Sequence, residues 1–385
     1  PNSAGIVLDT GIDTIIGGSL PGQGNIIAGN SWGRGVDNGS GSTGTVIQGN
    51  FIGTNPSLDP GIGNYEGVFI FYPDGHIIGG SDPGAGNTIA FNSIGIDVRY
   101  GGALEVVNNV VSANSVRGID LMDLNGATIS GNRIGTDATG TLDLGNGGIG
   151  IKVTGSNDFV VSNNVISGND YAGIYFSATI DSSIQGNLIG TDDSGSSGLP
   201  NQTGIELDTL SRLNQIGGAG AGEANTIAFN LGSGIVHSGG LYNFFDTNSI
   251  HSNGGLGIDL GNDNVTLNDA GDGDSGPNGL LNFPTIASAV DNGAFTDVSG
   301  TIGGLSWAGA DYQLHFYSNG TCDSSNHGEG ETFIDVSPVW TVPAGGTFPW
   351  NVSLPTGLAG SYLTATATSG EGTSEFSQCM LVITP

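Results

Sequence analysis

Residues 87–120 read NTIAFNSIGIDVRYGGALEVVNNVVSANSVRGID, and the stretch contains its own echo. Asn87 and Ile89 return 22 residues later as Asn109 and Val111, and Asn92 returns as Asn114. Gly95-Ile96-Asp97-Val98 comes back as Gly118-Ile119-Asp120-Leu121, 23 residues on. Alternation of Ile or Val with polar residues marks short strands with one face inward. A unit this short cannot bury that face alone, whereas stacked copies can.

Outward from this stretch the same frame covers most of the chain. Asn followed by an apolar residue at the second position after it recurs at Asn25, Asn50, Asn87, Asn109, Asn132, Asn164, Asn187, Asn225 and Asn248. The spacings are 25, 37, 22, 23, 32, 23, 38 and 23 residues, so some copies carry insertions. Gly before Ile or Val recurs in phase at Gly5, Gly35, Gly67, Gly95, Gly118, Gly148, Gly173, Gly204, Gly234 and Gly257. Five residues after each first Asn stands Asn30, Asn55, Asn92, Asn114, Asp137, Asn169, Asp192, Asn230 or Asn253. This predicts an all-β fold, a right-handed parallel β-helix of about ten rungs over residues 1–282, with amides stacked from rung to rung. Leucine-rich repeats would need Leu at fixed offsets and a helical segment, and a propeller needs about 40 residues per blade.

After residue 282 the pattern stops. Runs rich in β-branched and aromatic residues follow at 295–302, 312–317, 332–336, 347–354, 361–368 and 376–383, with turns between them. That spacing reads as a small antiparallel β-sandwich over 283–385, broadly immunoglobulin-like. Its Cys322 and Cys379 read as one disulfide tethering the last strand, hence an oxidising compartment; two buried free thiols are the alternative.

Certain phrases repeat nearly verbatim: IQGNFIGTN at 47–55, ISGNRIGTD at 129–137 and IQGNLIGTD at 184–192, with IIGG…GN.IA.N at 15–30 and 77–92. They resemble bacterial surface proteins with right-handed β-helix repeats, many of them carrying a CSLREA-type N-terminal region. The resemblance implies a pectate-lyase-like fold, an extracellular or cell-surface location, and a C-terminal immunoglobulin-like domain acting as cap or spacer.

With 6 Lys and Arg against 36 Asp and Glu, the net charge is −30. Such a surface repels phosphate backbones, which argues against nucleic acid as a partner. No run is apolar enough to insert in a membrane. Alternating Asp and Gly after the last repeat suggest a loop that wraps calcium, with Asp263, Asp269, Asp272 and Asp274 as its ligands.

Alignment of the Gly-Ile strands puts Asp37, Phe69, Asp97, Asp120, Gly150 and Tyr175 in one outward column, with Phe71, Arg99, Met122, Lys152 and Ser177 two residues on. Asp97 and Asp120 then sit on successive rungs, close enough for their charges to couple. With Arg99, Lys152 and Tyr175 nearby, they form the catalytic candidate of a polysaccharide lyase or glycoside hydrolase. Phe69, Phe71, Tyr100 and Tyr175 form the candidate surface of a glycan-binding adhesin. The remaining reading is a non-catalytic extracellular scaffold, which the uncovered first rung suggests could assemble head to tail into filaments. Expected partners are therefore other copies of the chain or an extracellular polysaccharide.

Overall fold

The structure is a computed structural model and describes residues 2–208, 210–304 and 309–385. It resolves into two compact units, Pro1–Ile205 and Glu206–Pro385.

The first unit is a coil of short strands in three parallel ladders. One ladder holds Ala4–Leu8, Arg34–Asn38, Glu66–Phe71 and the starts of Ile94–Val107 and Arg117–Ser130, then Ile149–Thr154 and Ala172–Ser177. Each strand pairs in parallel with its counterpart one rung away. A second ladder holds Ile15–Gly17, Val46–Gln48, His76–Gly79, Val160–Ser162 and Ser183–Gln185, together with the ends of the two long strands. The third contains two- and three-residue strands such as Thr88–Ala90, Val110–Ser112 and Arg133–Ile134. Inward Ile and Val from every ladder, among them Val68, Ile78, Ile89, Ile96, Val106 and Ile119, are fully buried.

Two columns of asparagine run along this coil. In the first, the side-chain amide of Asn25 donates to Asn50, and the chain of donation continues through Asn87, Asn109, Asn132 and Asn164 to Asn187. Each Oδ1 also accepts the backbone N–H of the preceding asparagine, so an otherwise orphaned donor at the turn is satisfied.

The second column is Asn30, Asn64, Asn92, Asn114, Asn146, Asn169 and Asn201. Asn55, Asp137 and Asp192 do not belong to it, contrary to the sequence alignment. Each caps a surface turn instead. Asp137 accepts from Thr141 and Leu142 N–H, Asp192 from Ser196 and Ser197 N–H, and Asn55 from Ser57 N–H. The column resumes nine residues later in all three rungs, at 64, 146 and 201.

The second unit opens with further parallel pairs: Gln215–Gly217 with Phe244–Asp246, Thr226–Ala228 with Ser249–His251, and Ile235–His237 with Ile258–Leu260. From Thr285 the strands are antiparallel. Thr285–Asp291, Thr296–Gly303 and Thr347–Leu354 form one sheet. Ala310–Asn319 joins Thr332–Val336, Trp340–Val342 and Tyr362–Ser369 in the other. Tyr312, Leu314, Phe316, Trp350 and Leu363 fill the space between them. Cys322 and Cys379 are disulfide-bonded, with Cα atoms 5.9 Å apart.

Within this unit the antiparallel part closes the last rung by imitating a further one. Glu329 Oε1 accepts both the backbone and the side-chain N–H of Asn253, as Asn253 does for Asn230. Gly330 exchanges two hydrogen bonds with Ile250, at 2.8 and 2.7 Å. Glu375 accepts from Leu260 and Thr266 N–H, and the Phe376 ring covers Gly257. An open strand edge is thereby paired.

Candidate functional site

The outer face of the first ladder carries the predicted site residues. Register places Asp37, Phe69, Asp97, Asp120, Lys152 and Tyr175 in one column. The next column is Phe71, Arg99, Met122, Thr154 and Ser177. Lys152 therefore stands directly beside Asp120, not two residues on. The cause is the doubled phrase Gly148-Ile149-Gly150-Ile151: the glycine stacked on Gly118 and Gly173 is Gly150, not Gly148.

Alternation turns these side chains outward, but the carboxylates are not free. Asp97 is 1% exposed and holds Arg99 through two hydrogen bonds, 2.9 Å from Nε and 2.7 Å from Nη2. That pairing raises the Arg99 pKa above its ordinary value. Asp120, 4% exposed, is bound at 2.6 Å by Arg117, a partner the sequence reading missed. Arg34 spans Asp37 at 2.9 Å and Glu66 at 2.7 Å, and its guanidinium lies 3.4 Å above the Phe69 ring centroid. Burial pushes the Glu66 carboxyl up, against the Arg34 hydrogen bond and charge that pull it down.

The aromatic candidates separate. Phe69 is buried under Arg34. Phe71 packs edge-on against Tyr72 at 4.6 Å and Tyr100 at 5.6 Å, and the two tyrosines lie 5.9 Å apart. Tyr72 is 50% and Tyr100 38% exposed, both at positive φ on the corner where the first ladder ends. Tyr72 was absent from the predicted set, although Phe71-Tyr72 and Arg99-Tyr100 occupy equivalent places in adjacent rungs and alignment of those pairs would have found it. Tyr175 stands four strands from Phe69, about 19 Å at the usual strand spacing, and belongs to another part of the face.

The acidic loop gathers three of its four expected ligands. Asp269, Asp272 and Asp274 bring one carboxylate oxygen each within 4.8 Å of the others. Asp263 does not join them, because it follows the last parallel strand directly and donates its backbone N–H to Asp259. Burial first, then the charges of Asp274, Asp269 and Glu371, push Asp272 up to about 6.

Residues 77–222 match the family model of the right-handed β-helix region. This is a right-handed parallel β-helix protein. The match is to the general repeat and does not reach the narrower CSLREA-type group. Similar solved structures include the Dettilon tailspike protein, at 14% identity, 95% coverage of this chain, 80% of that one and a TM-score of 0.44. Another is the enzymatically active domain of tailspike protein 2 from bacteriophage CBA120, at 13% identity, 95% and 68% coverage and a TM-score of 0.35. At those scores neither carries an argument about activity.

On this β-helix, Asp97 and Asp120 sit on adjacent strands about 4.8 Å apart, a spacing compatible with paired-carboxylate chemistry. Both oxygens of Asp97 and Oδ2 of Asp120, however, are held by guanidiniums, Asp120 Oδ1 is buried without a hydrogen-bond partner, and neither carboxylate reaches solvent appreciably. A general acid or base must touch its substrate. Such contact would require Arg99 or Arg117 to swing away. The exposed chemistry of this face is instead the Tyr72–Tyr100 corner.

Proposed function

We propose that this β-helix protein is an extracellular scaffold whose outward carboxylates are locked in ion pairs, mostly within their own strands, with Arg34–Glu66 bridging two rungs. The observation that carries the reading is the pairing of Asp97 with Arg99 and Asp120 with Arg117, both carboxylates withdrawn from solvent. The disulfide supports an oxidising compartment. Among the described residues no helix is long and apolar enough to cross a membrane. Incubation with acidic and neutral polysaccharides, with and without calcium, is expected to release no product. Release that disappears in Asp120→Asn would overturn the scaffold reading in favour of a lyase or hydrolase.

A second reading adds glycan binding to the same scaffold. It is supported by two tyrosines exposed at one corner and braced by Phe71, a platform on which the apolar face of a sugar ring can stack. Retention on immobilised polysaccharide should be lost when Tyr72 and Tyr100 are both changed to Ala. Equal retention of that double variant refutes the platform.

A further inference from the structure

The segment from Asn268 to Phe283 is zipped to itself at its base. Asn268 and Phe283 exchange two hydrogen bonds, from Asn268 Nδ2 to the Phe283 carbonyl and from Phe283 N–H to Asn268 Oδ1. Asn282 Oδ1 accepts from Asp269 N–H, and its Nδ2 donates to the Asp269 carbonyl. Asn282 N–H then donates to Asp272 Oδ1 at 2.8 Å. These bonds fix where the Asp272 carboxylate points.

They also use only one of its oxygens. Asp272 is 3% exposed, and its Oδ2 is buried without any hydrogen-bond partner. Leaving a carboxylate oxygen dry and unmatched is unfavourable, and it becomes more so with further negative charge close by. Asp269 and Asp274 supply that charge, each with an oxygen within 4.8 Å of Asp272. Among the described residues none of the three makes an ion pair with Arg, Lys or His. The backbone N–H of Gly273 donates to both oxygens of Asp269.

We propose that Asp269, Asp272 and Asp274 form a calcium site, with the buried Asp272 Oδ2 as its anchoring ligand. All its donors are hard oxygens, with neither imidazole nor thiolate among them, which excludes the usual zinc and copper sets. Three carboxylates on an irregular loop suit the large, adaptable coordination shell of calcium, whereas magnesium demands a tight octahedron and keeps its waters. The ion clamps the loop joining the last parallel strand, Ile258–Leu260, to the first antiparallel one, Thr285–Asp291.

The test is calorimetric titration of calcium into the chelator-treated full chain in about 150 mM salt, where the diffuse charge of the surface is screened beyond ~8 Å. One saturable site is expected, with a rise of about 5 °C or more in the lower unfolding midpoint at saturation. Asp272→Asn should weaken the affinity at least about tenfold. Asp274→Asn, an exposed position that leaves the fold alone, should weaken it too and decides the matter if the first variant does not fold. Absence of binding overturns the proposal, as does calcium affinity unchanged in Asp274→Asn. An equal response to magnesium overturns the assignment of the ion.

Discussion

Replacement of Asn64 by Ala tests the stacked-amide architecture most directly, because the sequence phase assigns that column place to Asn55. Asn64 Oδ1 accepts from Asn30 N–H and Nδ2 at 3.1 and 2.9 Å, while Asn64 Nδ2 donates to Ile27 O and Asn92 Oδ1, both at 3.0 Å. Removing the amide deletes all four bonds and leaves the buried Asn30 N–H without an acceptor. At about 1 kcal/mol per bond, N64A should cost about 4 kcal/mol. Asn55 makes its bonds on an exposed turn, to Ser57, Asp59 N–H and the Asp59 carboxylate, where water can replace them. N55A should therefore cost less than about 1 kcal/mol. Urea unfolding followed by circular dichroism separates the two. With a slope of about 3 kcal/mol/M, the midpoint falls by ~1.3 M in N64A and by less than ~0.3 M in N55A. A loss in N55A equal to that in N64A would refute the column as described.

The cap of the last rung has a pH signature. Burial, outweighing the hydrogen bonds that oppose it, pushes Glu329 up to about 7 and Glu375 up to about 8 from an ordinary 4.5. The folded state then binds more protons than the unfolded one, so stability falls as pH rises through about 8. The histidines with lowered values, His76, His237, His251 and His327, act oppositely, but only below about 6.5. The melting temperature should thus decline between pH about 6.5 and 9, less so in E375Q, and a rise over that range would contradict the assignment. In the glycine column, a Cβ on Gly95 would lie 2.5 Å from the Gly118 carbonyl and 2.9 Å from Asn114 Nδ2 and Val111 Cγ1. G95A should cost about 1–3 kcal/mol in the same urea assay, and a neutral result would mean the rungs are less tightly stacked than described.

The repeat was legible because side chains that face a neighbouring copy of themselves obey the same chemistry in every rung. Ile and Val had to point inward, glycine had to stand where the next backbone passes, and each asparagine of the first column keeps its place two residues before an inward Ile or Val wherever the insertions fall. The antiparallel strands at 332–336 and 347–354 were also readable to the residue. Thr285–Asp291 was missed, and the last predicted strand, 376–383, shrinks to Met380–Leu381. Around that short strand, Glu375 and Phe376 are taken up by the cap.

The candidate site was legible by composition but not by partnership. Asp97 and Asp120 were correctly placed on neighbouring rungs, because a one-dimensional repeat determines which residues share a column. Which arginine each carboxylate chooses, two residues on for Asp97 and three residues back for Asp120, and how far it is withdrawn from water, depends on side-chain conformations within the strand that the repeat does not encode. The same limit explains Lys152, where two consecutive Gly-Ile pairs gave two equally regular registers and only the stacking of Gly150 under the neighbouring carbonyls selects one.

Sequence alone therefore determined the period, the inward face and the change of architecture beyond the last repeat, since these follow from local alternation and from copies burying one another. Tertiary structure decided the second asparagine column, the ion pairs and the carboxylates that close the last rung. The column and the cap join residues brought together by insertions and by a separate sheet, where no periodicity links one partner to the other, and the ion pairs rest on side-chain conformations that alternation along a strand leaves open.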